Sequence, residues 1–146
     1  MKLAGEYNLP APPEKVWELL TDPNRLAKLL PGCERLDPDG PDRFKAAIKF
    51  GIAAITGKYA GTVEFSEKQP PKSMRMKISG KGVPGFVDGS GHLELKGKDG
   101  GTLLHYTGDA QVGGMIASVG QRMVEGAAKK IVDQFFAAAA EELRKG

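Results

Sequence analysis

The chain has 146 residues, 40% hydrophobic and 27% charged, which suits one soluble domain with a single core and leaves no room for two. One cysteine (Cys33) and two histidines (His92, His105) exclude a disulfide framework and a Cys/His zinc constellation, so a metal-free intracellular protein is expected. A net charge of +3 is too small to indicate nucleic-acid binding, and no apolar run approaches the ~18 residues of a membrane span.

Residues 6–9 read as a short opening strand that the prolines at 10, 12 and 13 end. Residues 14–20 carry Val16, Leu19 and Leu20 on one helical face, with proline just before the first turn, where it is tolerated. Asp22-Pro23 stops that helix, and residues 24–30 form a second one striped by Leu26, Leu29 and Leu30. Both are too short to stand alone and must cap something.

From Arg35 to Val112 the period becomes two. Phe44, Ala46, Ile48 and Phe50 alternate with charged or small residues, as do Tyr59, Val63 and Phe65, then Met74, Met76 and Ile78, then Leu93 and Leu95, then Leu104, Tyr106, Ala110 and Val112. Turn signals such as Asp39-Gly40, Pro70-Pro71, Pro84-Gly85 and Asp99-Gly100 separate the runs. Short loops between alternating strands predict an antiparallel meander with one apolar face. Residues 114–144 contain no proline and repeat apolar residues at Ile116, Val119, Met123, Ala127, Ile131 and Phe135. As one helix they would span roughly 46 Å, more than the diameter implied by a radius of gyration of about 15 Å. Such a helix must cross the whole domain, so the expected architecture is α+β, a strongly curved antiparallel sheet of six to seven strands wrapped around a long C-terminal helix.

This order is the plan of the helix-grip fold of START-like (SRPBCC) domains. Ala11-Pro12-Pro13-Glu14-Lys15-Val16-Trp17, then Leu29-Leu30-Pro31-Gly32-Cys33, resembles the opening of the CoxG family, the carbon monoxide dehydrogenase G subunits, within that superfamily. Gly57-Lys58-Tyr59-Ala60-Gly61-Thr62-Val63, Thr102-Leu103-Leu104-His105-Tyr106 and the run Gly113-Gly114-Met115-Ile116 onward to Arg122 extend the resemblance over nearly the whole chain. It implies one domain over residues 1–146: a non-catalytic accessory protein of aerobic molybdenum-containing dehydrogenases, involved in membrane recruitment and in handling a quinone or other lipid. Some longer members continue into a membrane-anchoring tail. This chain ends at Gly146, so attachment is expected to use the folded surface, with a cytoplasmic protein peripheral at the inner membrane face.

Apart from Tyr59 and Tyr106, the inward residues are Phe, Ile, Val, Met and Leu, with no acid–base pair and no nucleophile beside a base, so no catalytic residue is assigned. Glu34 opposes and Arg35 favours a Cys33 thiolate, and a structural cysteine is expected. His92 and His105 fall on the outer face, opposite one another if the turn is centred on Lys98-Asp99. Sequence leaves open whether the inner face is a filled core or a cavity. Few aromatics and the flexible methionines at 74, 76, 115 and 123 favour a cavity. Its expected lining is Leu26, Leu30, Ile48, Phe50, Tyr59, Val63, Met76, Phe86, Tyr106, Ile116, Val119 and Met123. Tyr59 or Tyr106 would bond a ligand carbonyl. No covalent cofactor is expected, only a bound quinone or lipid. The alternatives are a polyketide-cyclase-like enzyme of the same superfamily, which needs polar groups in the cavity, and a structural partner with a filled core.

The charge excess lies in residues 51–100, and residues 68–87 hold five basic side chains and no acid. Val83 and Phe86 place apolar groups at a turn, which either folds back over the cavity mouth or forms an exposed lip. With Arg75, Lys77 and Lys81 they make a candidate surface for a membrane or a protein partner. Glycine, 20 of 146 residues, is about twice its average usage, and 15 of the 20 lie between positions 51 and 120. Within strands they allow bends, and Gly120 and Gly126 inside the long helix suggest close approach of backbone or ligand.

Overall fold

The computed structural model describes residues 1–51 and 55–146. Strand β1 (Lys2–Leu9) leads into α1 (Pro13–Thr21) and α2 (Pro23–Leu29). Asp22 joins the two helices, its side chain accepting the Asn24 amide at 3.0 Å. Then come β2 (Cys33–Pro38), β3 (Arg43–Phe50), β4 (Gly57–Gln69), β5 (Ser73–Gly82), β6 (Gly85–Lys98) and β7 (Gly101–Gly113), followed by a 3-10 helix (Met115–Val119) and α3 (Gln121–Arg144). The seven strands form one antiparallel sheet in the order β1-β7-β6-β5-β4-β3-β2, so the meander is bordered by β1.

Three sequence expectations are corrected. The opening strand begins at Lys2 rather than 6, because Leu3, Gly5, Tyr7 and Leu9 continue the inward alternation along β7. The single helix over 114–144 is two: Gly114 (φ 81°) and Gly120 (φ 99°) bound the 3-10 helix, and α3 keeps 24 residues, about 36 Å. The histidines do not oppose each other. Asp99 (φ 53°) and Gly100 (φ 82°) form the two-residue turn, since positive φ at both central positions suits the hairpin twist. Lys98 therefore pairs with Gly101, His92 with Thr107 and His105 with Glu94.

The core has two parts. At one end α1 and α2 bury Val16, Leu19, Leu20, Leu26 and Leu29 against Phe65, Met74, Leu93 and Leu104 of the sheet, together with Phe136, Ala139 and Leu143 of α3. Thr102, buried there, donates to the Ala11 carbonyl at 2.7 Å. At the other end a smaller group holds Ile55, Ile116 and Ala127, edged by Phe50, Val87, Val112 and Ile131.

Candidate ligand site

Residues paired directly across antiparallel strands share a face, so the register sorts the sheet into rows. On the face that α3 covers, one row holds Ala46, Gly61, Gly80, Val87 and Val112. The next holds Phe44, Val63, Ile78, Gly89 and Ala110, and the third Phe65, Met76, Gly91, Gly108 and Leu3. Five glycines thus meet in one strip of the concave face, bordered by Met76 on the side of the larger core and by Val87 and Val112 on the side of the smaller.

The strip is open. A Cβ built on Gly80 meets nothing within 4 Å. Ile78, inward-facing between Val63 and Gly89, remains 42% exposed, where inward isoleucine is ordinarily buried. Gly61 plays a different part, since a Cβ there would lie 2.0 Å from the Ser79 carbonyl oxygen. One glycine lets backbones approach, and another leaves room for something else.

A fourth inward row, Met74, Leu93, Tyr106 and Gly5, borders the strip and carries its polar groups. The Tyr106 ring lies on Gly5, where a Cβ would come within 2.8 Å of it. Phe136 of α3 stacks on Tyr7 (centroids 4.4 Å) and on Tyr106 (6.0 Å), and the Tyr7 hydroxyl donates to Asp133. Burial raises the pKa of all three inward tyrosines; the Asp133 hydrogen bond adds to the effect at Tyr7, and its charge does so at Tyr106. Tyr59 donates to the Ile55 carbonyl at 3.0 Å.

Of the expected lining residues, Tyr59, Val63, Leu26 and Ile116 are buried, and Leu30, Ile48, Phe50, Met76 and Tyr106 are half-buried. Leu26 and Leu30 belong to the larger core rather than the strip, and Ile116 to the smaller. Phe86, Val119 and Met123 do not join the wall. Phe86 pairs with Lys81 and Gly113 on the outer face, because inward positions of β6 are odd-numbered, and its ring covers Gly113. Val119 and Met123 are exposed. Tyr7 and Asp133 are the residues that sequence reasoning misses. A single acid on a helix carries no pattern, and the one signal for Tyr7 is that it shares the inward parity of Leu9. The close approach expected at Gly120 and Gly126 is absent, with nothing within 4 Å of a Cβ at either.

Phe86, Val119 and Met123 gather instead with Val83 and Met115 at one tip of the domain. The Ile116 amide donates to the Pro84 carbonyl at 2.9 Å, which fastens the 3-10 helix to the β5–β6 turn. Val83 is 92% and Met115 66% exposed. Lys81 faces Phe86, Lys49 faces Lys58 on the neighbouring row, and Arg122 opens α3. None of these four cations has an ion-pair partner among the described residues. Of the other two candidate basic residues, Arg75 is held by Glu67 at 3.2 Å and Lys77 faces Glu64, both farther from the tip.

Elsewhere, the Cys33 thiol donates to the Arg35 carbonyl at 3.3 Å, and burial pushes its pKa up, away from a reactive thiolate. Among the described residues no group of three His, Cys, Asp or Glu is placed to hold a metal, and no helix is long and apolar enough to cross a membrane.

The sequence model of the carbon monoxide dehydrogenase G subunit (CoxG) matches residues 5–144. The chain belongs to the CoxG family. A crystal structure of a conserved protein from Geobacillus kaustophilus is 38% identical, covers 99% of this chain and 96% of its own, and superposes with a TM-score of 0.97. Two other solved structures share the helix-grip fold at lower identity. One from Chromobacterium violaceum is 20% identical, with coverage of 97% and 96% and a TM-score of 0.76; one from Mycobacterium smegmatis is 18% identical, with coverage of 99% and 91% and a TM-score of 0.71. A comparison with curated proteins returned no match.

Proposed function

We propose that this CoxG-family chain is a non-catalytic accessory protein that carries a lipid- or quinone-like molecule on its concave face for a molybdenum-containing dehydrogenase. The observation that carries this reading is the glycine strip, where Ile78 points inward and stays 42% exposed. A sheet that packs its core against α3 would place side chains there, whereas a Cβ on Gly80, between the two apolar clusters, meets nothing within 4 Å. That opening speaks against the filled-core alternative. Family membership supports the accessory role.

The exposed tip supports loading at a membrane. Its apolar side chains lie at the same end as the smaller core, and the lysines beside them suit anionic headgroups. The protein would then be cytoplasmic, peripheral at the inner membrane face and free of covalent cofactor.

Native mass spectrometry of protein purified from its own host, followed by organic extraction, tests the carrier role. A co-purifying apolar molecule is the expected result. A ligand-free protein with no affinity for quinones or fatty acids would overturn it.

A further inference from the structure

We infer that Met115 and Met123 form a reversible oxidation site on the exposed tip, where a hydroperoxide converts both thioethers to sulfoxides and so releases the protein from an anionic membrane. The inference rests on reading the tip as the end that loads at a membrane, and it adds a chemical control to that reading.

The placement of the methionines carries it. The chain has five, at positions 1, 74, 76, 115 and 123. Met74 is 1% exposed in the larger core, and Met1 and Met76 are half-buried. Met115 at 66% and Met123 at 54% are the two exposed ones, and both belong to the tip. An oxidant in solution therefore reaches these two sulfurs first. Ile116, beside Met115, is buried and fixes the 3-10 helix through its amide bond to the Pro84 carbonyl, so the segment stays seated when its neighbour is oxidised. The Ser118 hydroxyl donates to the Met115 carbonyl at 2.6 Å, which holds the turn without using the sulfur.

The chemistry is a two-electron oxygen transfer. A lone pair of the thioether sulfur attacks hydrogen peroxide, an S–O bond forms as the O–O bond breaks, and the departing hydroxide takes the proton of the transferred oxygen and leaves as water. The sulfur is oxidised and the peroxide reduced. A flexible apolar side chain that enters the headgroup and acyl boundary becomes a polar one that prefers water. Lys58, Lys81 and Arg122 keep their charges, so the attraction that remains is electrostatic and weak in salt. Methionine sulfoxide reductases reverse the change with a dithiol, which becomes a disulfide as the sulfoxide oxygen leaves as water.

The test is co-sedimentation of the full chain with phosphatidylglycerol vesicles before and after mild hydrogen peroxide, with peptide mass mapping of each methionine. Met115 and Met123 should each gain one oxygen while Met74 gains none. Vesicle affinity should fall at least about tenfold, with Tm held within about 2 °C. Treatment with both sulfoxide reductases and dithiothreitol, one enzyme for each epimer, should restore it. The double variant Met115→Leu, Met123→Leu should bind vesicles within about twofold of the wild type and keep that affinity after peroxide. Oxidised wild-type protein that binds as tightly as untreated protein, or a double variant that loses as much affinity to peroxide as the wild type does, would overturn the switch and leave the membrane reading of the tip standing. No binding of the untreated protein to the vesicles would remove both.

Discussion

Tyr7 of β1 and Asp133 of α3, 126 positions apart, are joined by a hydrogen bond that ties the long helix to the edge of the sheet beside the open strip. Phe136, one turn further along α3, stacks on the same tyrosine, so the helix meets β1 through an aromatic layer with one polar fastening. The fastening has a consequence for alkaline stability. A tyrosine whose pKa is higher in the folded than in the unfolded protein contributes fully below the unfolded value, about 10, and loses that contribution as pH rises through the folded value. Tyr7, Tyr59 and Tyr106 are all shifted upward. Thermal melts of the wild-type protein should therefore be flat from about pH 8 to 9 and fall steeply above about pH 10. In Tyr7→Phe the alkaline fall should be visibly shallower. An equal slope in both proteins would remove Tyr7 from the explanation.

Two glycines on one row should respond oppositely to added side chains. Gly61→Ala drives a Cβ against the Ser79 carbonyl at 2.0 Å and should cost about 2 kcal/mol in urea denaturation. Gly80→Val meets open space and gains strand propensity, so stability should hold or rise by up to about 1 kcal/mol. Because the new side chain occupies the strip, hexylbenzene affinity should drop at least about tenfold. A Gly80→Val protein that binds as the wild type does would show that the strip is not the site.

The tip is tested by co-sedimentation with vesicles. Val83→Asp, at a side chain 92% exposed, should abolish binding to phosphatidylglycerol vesicles without lowering Tm. Lys58→Glu and Lys81→Glu should each weaken binding by about fivefold or more, since each cation contributes about 1 kcal/mol near an anionic surface. Arg75→Glu should do less, because Glu67 already engages Arg75. Binding that ignores salt, or that Arg75→Glu removes as effectively as Lys81→Glu, would place the membrane contact elsewhere.

Gly120 and Gly126 also separate. Gly120 caps α3 at φ 99° and ψ 150°, a region nearly reserved for glycine, so Gly120→Ala should cost about 1–3 kcal/mol and lower Tm by about 3–9 °C. Gly126 is helical and faces open space, and Gly126→Ala should add about 1 kcal/mol. A pair of melts decides between one continuous helix, in which both substitutions stabilise, and the observed break.

Periodicity determined the elements and their order apart from the break at Gly120, because a strand or helix declares its buried face locally: Phe44, Ala46, Ile48 and Phe50 alternate as a strand whatever lies beside them. The glycine surplus and the tyrosine candidates were also legible. Phe86 is apolar and so expected inward, yet Leu93 and Leu95 set the opposite parity for β6, and the register puts it outside. Tertiary structure alone decided which glycines share a strip, because that depends on three strand pairings whose registers follow from turn geometry such as Asp99-Gly100. It also decided that Tyr59 is already bonded and Tyr106 is not equivalent to it, since a hydroxyl's partner is a matter of distance in space. A carboxylate 126 residues from the tyrosine it holds leaves no local pattern, and only the packing of α3 across the sheet brings the two together.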